Sequence, residues 1–168
     1  MRLLYLISVW LHILMAVIWL GGILFLVLVL VPVTRRWGDR RRTARFIHEV
    51  GEQFRWIGWV GFGMLLMSGL FNLAYRGYGW ADVVSGRLWQ GPFGRALAIK
   101  LALFGVVVVL SALHDFVIGP RTTRLWEEHP DDPQVARLRR QSRWIGRINL
   151  MLALLIVWMA IFMVRGWP

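Results

Sequence analysis

Four long apolar runs alternate with shorter polar segments along this chain. Leu3 to Val33 holds one histidine, His12, and no formal charge. Trp56 to Tyr75 is uncharged. Phe93 to Ile118 is apolar apart from Arg95, Lys100, His114 and Asp115, with Ser111 among them. Ile148 to Val164 is uncharged and starts about a turn earlier than its apolar core. A membrane span needs roughly 20 apolar residues, so each run qualifies, and the first is long enough to tilt or project. A backbone crossing lipid must satisfy its own hydrogen bonds, so the spans are predicted as helices. Short connections make neighbours antiparallel. The expectation is an all-α integral membrane protein: one membrane domain over 1–168, an up-down bundle of four transmembrane helices. Its spans are placed at 3–33, 54–75, 93–118 and 146–165.

The polar segments refine these elements. From Thr43, the residues Phe46, Ile47, Val50, Phe54 and Ile57 recur at helical spacing beside Glu49, Glu52 and Arg55, which predicts that the second helix begins before the membrane. Gly77, Gly79, Gly86, Gly91 and Pro92 break up the middle loop, where Trp80 and Trp89 suit the headgroup level. Asp82 is the sole acid of that loop, with no evident partner. Gly119-Pro120 is expected to end the third helix, and His129-Pro130-Asp131-Asp132-Pro133 to form a polar turn into the fourth. Gly21-Gly22, Gly58, Gly61, Gly63, Ser68 and Gly69 mark close helix contacts. Met1-Arg2-Leu3-Leu4 could open a secretory signal. The apolar run is about twice a usual signal core and lacks a small-residue cleavage site, so it is read as a retained helix.

Composition agrees: 58% of residues are hydrophobic and the mean hydropathy is +0.57, too apolar for a soluble domain of 168 residues. There is no cysteine, which excludes disulfides, thiolate metal sites and redox dithiols. The net charge of +11 would suggest nucleic acid in a soluble protein, but here the arginines flank spans. Arg35, Arg36, Arg40, Arg41, Arg42, Arg45 and Arg55 follow the first span; Arg121, Arg124, Arg137, Arg139, Arg140, Arg143 and Arg147 follow the third. The middle segment has only Arg76 and Arg87. The positive-inside rule puts the two Arg-rich loops in the cytoplasm and both termini outside, as in an inner-membrane protein. Anionic lipid headgroups explain the charge, and nucleic acid is not expected as a partner.

Charged and titratable groups inside spans are the candidates for function, because they are costly there. Lys100 is the chain's single lysine. On the topology above, His12 and Lys100 both lie ~10–14 Å below the outer edge. A shared site there is expected to keep their Cα atoms within ~20 Å, the reach of a haem and its ligands. His114 follows Lys100 on one face but ~21 Å further along, too far to share a metal ion. His114 and Asp115 form an inner level with Arg121, Arg143, Arg147 and Asn149. Lys100, Ser111 and His114 make a polar stripe, and Ser68 and Asn72 stand at i, i+4. Met15, Met67 and Met159 fall near the depth of His12; imidazole and thioether suit copper(I) or haem iron. The plainer readings stand beside these. Methionine is ordinary apolar filler, His12 makes an interhelical hydrogen bond, Lys100 snorkels, and His114 pairs with Asp115. No hydrolase triad, phosphate loop or paired catalytic carboxylates occur.

Several stretches carry a family resemblance. They are Leu11-His12 with Trp19-Leu20-Gly21-Gly22; Phe54-Arg55 with Ser68-Gly69-Leu70; Gly94-Arg95, Lys100-Leu101 and His114-Asp115-Phe116; and, loosely, Gly146-Arg147-Ile148-Asn149. This ordered set resembles the CopD (copper-resistance D) membrane domain family in a stand-alone four-helix form. It is also similar to the HemJ family of membrane protoporphyrinogen oxidases, which use haem b with a histidine in the first helix and a lysine in the third. That resemblance places the roles on His12 and Lys100. After Trp19 the HemJ pattern is aromatic and basic, where this chain has Leu20-Gly21-Gly22-Ile23-Leu24-Phe25-Leu26. The lead expectation is a b-type haem protein for electron transfer or porphyrinogen oxidation. His12 would be the axial ligand; Lys100 would be a second ligand or catalytic charge partner. His114 would serve an inner site and Arg147 a haem propionate. A quinone or respiratory acceptor would take the electrons, and a homo-oligomer is compatible. The alternative is copper transport or resistance, with metal ligands among His12, His114, Met15, Met67 and Met159. A further alternative is a structural or assembly subunit.

Overall fold

The computed structural model describes residues 1–129 and 132–165, excluding the side chains of Arg40, Arg41 and Glu127. In chain order the α-helices are α1 (Arg2–Phe25), α2 (Val31–Arg35), α3 (Arg40–Tyr75), α4 (Trp80–Val84), α5 (Gly91–Ala112), α6 (Gly119–Glu128) and α7 (Pro133–Arg165). π-helical turns at Leu26–Leu30 and Leu113–Ile118 join α1 to α2 and α5 to α6, and a 3₁₀ turn spans Arg87–Trp89. No strand occurs among the described residues, and four helices are long and apolar enough to cross a membrane. The Pro130 and Asp131 part of the expected polar turn lies outside the described residues.

The chain divides into two compact units, Met1–Ser85 and Gly86–Pro168. In the first, α1 and α3 form an antiparallel pair. The contacts run in opposite order along the two helices: Tyr5 stacks on Tyr75 at 4.3 Å, Trp19 meets Phe62 edge-on at 5.2 Å, and the Thr43 hydroxyl reaches the Thr34 carbonyl at 2.9 Å. The seam on α1 is Tyr5, Ser8, His12, Met15, Trp19 and Gly22, alternating steps of three and four, the spacing of a close left-handed helix pair. Large groups face small ones: a Cβ on Gly58 would sit 3.8 Å from the Trp19 ring, and one on Gly22 would overlap the Phe54 ring. Packing of this kind, rather than hydrophobicity, holds helices together in lipid. Ile13, Val17 and Leu28 point outward, where acyl chains would cover them.

In the second unit α5 and α7 pair in the same sense, with the Asn149 side chain donating to the Ser111 hydroxyl at 3.0 Å. Gly94 lies against the backbone of Leu88 and Trp89; no side chain fits there, which seats the 3₁₀ turn on the start of α5.

One expected helix end is corrected. Gly119-Pro120 does not end the third helix, which continues to Glu128 through the π turn and α6. The first span, placed at 3–33, runs through Pro32 as expected and on to Arg35. Proline lacks an N–H and crowds the carbonyl four residues back; widening the turn ahead of it to i→i−5 bonding relieves both. In each helix the threonine two residues after the proline bonds back to a carbonyl of the π turn: Thr34 to Leu30 at 2.9 Å, Thr122 to Ile118 at 2.6 Å. The two units thus repeat one device. Asp82 also has a role: its carboxylate accepts the Gly79 N–H at 2.8 Å, which ties down the start of α4.

Candidate functional site

Polar residues of the first unit gather where α1 faces the C-terminal third of α3. Ser8 and His12 stand one turn apart on α1, and Ser68 and Asn72 one turn apart on α3. His12 Nδ1 lies 2.8 Å from the Ser68 hydroxyl oxygen. The Ser8 hydroxyl reaches the Ser68 carbonyl at 3.4 Å. Ser68 in turn donates its hydroxyl proton to the Met64 carbonyl at 2.5 Å. A hydroxyl has one proton, and Met64 receives it, so Ser68 accepts from His12. In the tautomer with its proton on Nδ1, His12 donates to Ser68 and presents Nε2 as the ring's acceptor. That is the arrangement of a metal-ligating histidine, whose second nitrogen donates to a fixed partner.

Gly69 makes room for the ring: a Cβ there would stand 3.6 Å from His12 Cε1. The Asn72 side-chain oxygen is buried with no hydrogen-bond partner among the described residues, an acceptor left for a polar guest. Met15 and Met64 lie level with each other about one turn below His12 by the register of the seam, both half-buried. Met67 is 69% exposed on α3 and is not part of the seam.

Lys100 lies on the packed face of α5, in line with the buried Ala96, Leu97 and Val107. Within its own unit no carboxylate among the described residues pairs with it. Counting from the Ser111–Asn149 pair, the level of Lys100 on α7 falls beside the buried Met159. His114 pairs its Nδ1 with Asp115 at 2.9 Å inside the π turn, a helical turn beyond Ser111. Asn149 is buried, and its side-chain oxygen has no partner among the described residues. Arg147 stacks on Trp144 at 5.4 Å. The structure thus joins His12 to Ser68, joins Ser111 to Asn149, and keeps His114 apart from Lys100. Sequence reasoning missed Ser8, whose signal was its i, i+4 spacing to His12, and Met64, which bears on the site through its carbonyl.

Among the described residues no three His, Asp or Glu side chains gather as a metal cage. A metal ion at His12 would be held by one imidazole, with the Met15 thioether one turn away on the same seam as the nearest soft donor by register. That set fits a soft, low-coordinate ion such as copper(I) and does not fit a hard divalent cation.

Comparison with known proteins gives a family. The model of the family described as Copper resistance protein D, CopD, matches residues 48–163, which takes in α5 to α6 whole and most of α3 and α7. His12 lies ahead of the matched stretch. A protein of Aquifex aeolicus (strain VF5), described as uncharacterized, is 32% identical over 152 residues, which is 90% of this chain and 89% of that one. No solved structure matches. The CopD resemblance is thereby shown, and the HemJ likeness is not among these findings.

Proposed function

The chain belongs to the CopD family, and on that premise we propose that this multi-pass membrane protein moves copper(I) across the lipid bilayer, with His12 as the imidazole on the ion's path. The single observation carrying the proposal is the hydrogen-bond chain from His12 through Ser68 to the Met64 carbonyl. It supports the tautomer a metal needs and adds no formal charge inside the membrane. Copper(I) takes imidazole and thioether donors, and Met15 stands one turn from His12 on the same seam. The family name favours copper over haem b, and the lead reading from sequence gives way to its alternative. Copper(I) transport also needs no electron acceptor. The orientation remains as the arginines suggest, with the Arg-rich segments on the cytoplasmic side of an inner membrane.

In this reading Lys100, when protonated, disfavours a second cation on its stretch of α5, and His114–Asp115 is an interfacial pair. The test is copper(I) flux into liposomes holding the purified protein. His12→Ala is expected to lower flux by on the order of tenfold or more while the protein still inserts. Unchanged flux at equal incorporation would remove His12 from the path.

A further inference from the structure

A cleft of about 550 Å³ opens on the second unit where the π turn passes α7, lined by Ile118, Arg137, Arg140, Gln141, Trp144 and Ile145. The five α7 residues are spaced i, i+3, i+4, i+7 and i+8, so they form one face of one helix. Along that face the chemistry changes in order. Arg137 and Arg140 stand at the polar end, and Gln141 follows. Trp144 and Ile145 close the membrane end opposite Ile118. The gradient covers ~12 Å, the distance over which a phospholipid passes from phosphate to acyl chain. Arg147 stacks on Trp144 at 5.4 Å, one turn further along α7. No lining residue is acidic, so the cleft's charge is uncompensated by its own walls.

We propose that this cleft binds an anionic phospholipid, its phosphate held by Arg137 and Arg140 and its first acyl carbons laid on Trp144, Ile145 and Ile118. Guanidinium groups present forked donors that match phosphate oxygens, and basic pockets at the ends of membrane helices suit lipid headgroups. Neither the family's name nor the copper reading calls for such a site.

The experiment is native mass spectrometry of the full chain in detergent with dioleoyl phosphatidylglycerol or dioleoyl phosphatidylcholine added. Wild-type protein is expected to retain phosphatidylglycerol and not phosphatidylcholine at equal concentration. Loss of each headgroup arginine should weaken retention roughly 5-fold, so Arg137→Gln with Arg140→Gln should weaken it on the order of 30-fold. Arg35→Gln with Arg36→Gln removes the same charge elsewhere and should leave retention within about twofold of wild type. Arg137→Lys with Arg140→Lys keeps the charge and should restore most of it, which separates headgroup binding from misfolding. Equal retention of both lipids, an equal loss in the Arg35/Arg36 variant, or displacement of the lipid by inorganic phosphate at millimolar concentration would each overturn the proposal.

Discussion

Ser68→Ala separates the candidate site from ordinary helix packing. The substitution removes one hydroxyl, which accepts from His12 at 2.8 Å and donates to Met64 at 2.5 Å. As helix glue this bond is worth little: interhelical hydrogen bonds in membranes average about 0.6 kcal/mol and reach about 1.7. Unfolding in detergent should therefore shift only slightly. As a support for a metal-bound imidazole the same bond is worth more. Without it the His12 ring loses its orientation and its tautomer, and losses of this kind cost about 10- to 100-fold in metal affinity. That corresponds to ~1.4–2.7 kcal/mol, above the packing term. The assay is competition for copper(I) between the detergent-purified protein and a chromophoric copper(I) chelator. Ser68→Ala should weaken binding by at least tenfold with helix content unchanged, and Ser68→Thr, which keeps the hydroxyl, should bind within a few-fold of wild type. Wild-type affinity in Ser68→Ala would refute the idea that Ser68 prepares His12 for a metal.

Three further outcomes follow from the same geometry. Gly94→Ala should destabilise the second unit strongly, because its new methyl would run into the Leu88 and Trp89 backbone, whereas Gly22→Ala should cost less, because the Phe54 ring can turn aside; thermal unfolding of both variants checks the order. Lys100→Met keeps the length and removes the charge, so copper(I) flux should stay intact or rise, and a severe loss would instead make Lys100 a required group. Cysteine placed at Gln134 should be shielded from a membrane-impermeant thiol reagent in intact cells while cysteine at Ser85 reacts, and the reverse labelling would invert the orientation.

The four spans were legible because lipid permits few alternatives: an apolar run of sufficient length has to be a helix. His12 was legible for the same reason, since a titratable ring in such a run needs a partner, and Ser68 at its level had been marked as a small interface residue. The course of the chain past Pro120 was not legible, nor were the π turns ahead of Pro32 and Pro120. Proline reads as a helix end, and the π turn that lets the helix continue is a property of backbone bonding with no residue type of its own. The threonine two positions after each proline is the trace it leaves in the sequence. Asp82 was misjudged because its partner is a backbone N–H, three residues back at Gly79, and not another side chain. Met64 escaped notice because its carbonyl, which every residue has, is what it offers to Ser68.

The central claim is that this chain carries copper(I) on His12, and metal analysis with an absorption spectrum tests it most directly. Full-length protein, purified in detergent after exposure to copper(I) and passed through a desalting column, should hold copper in proportion to protein and show no Soret band. His12→Ala, treated identically, should emerge with the copper lost. A Soret band with stoichiometric iron in the wild type, or copper retained undiminished by His12→Ala, would contradict the account.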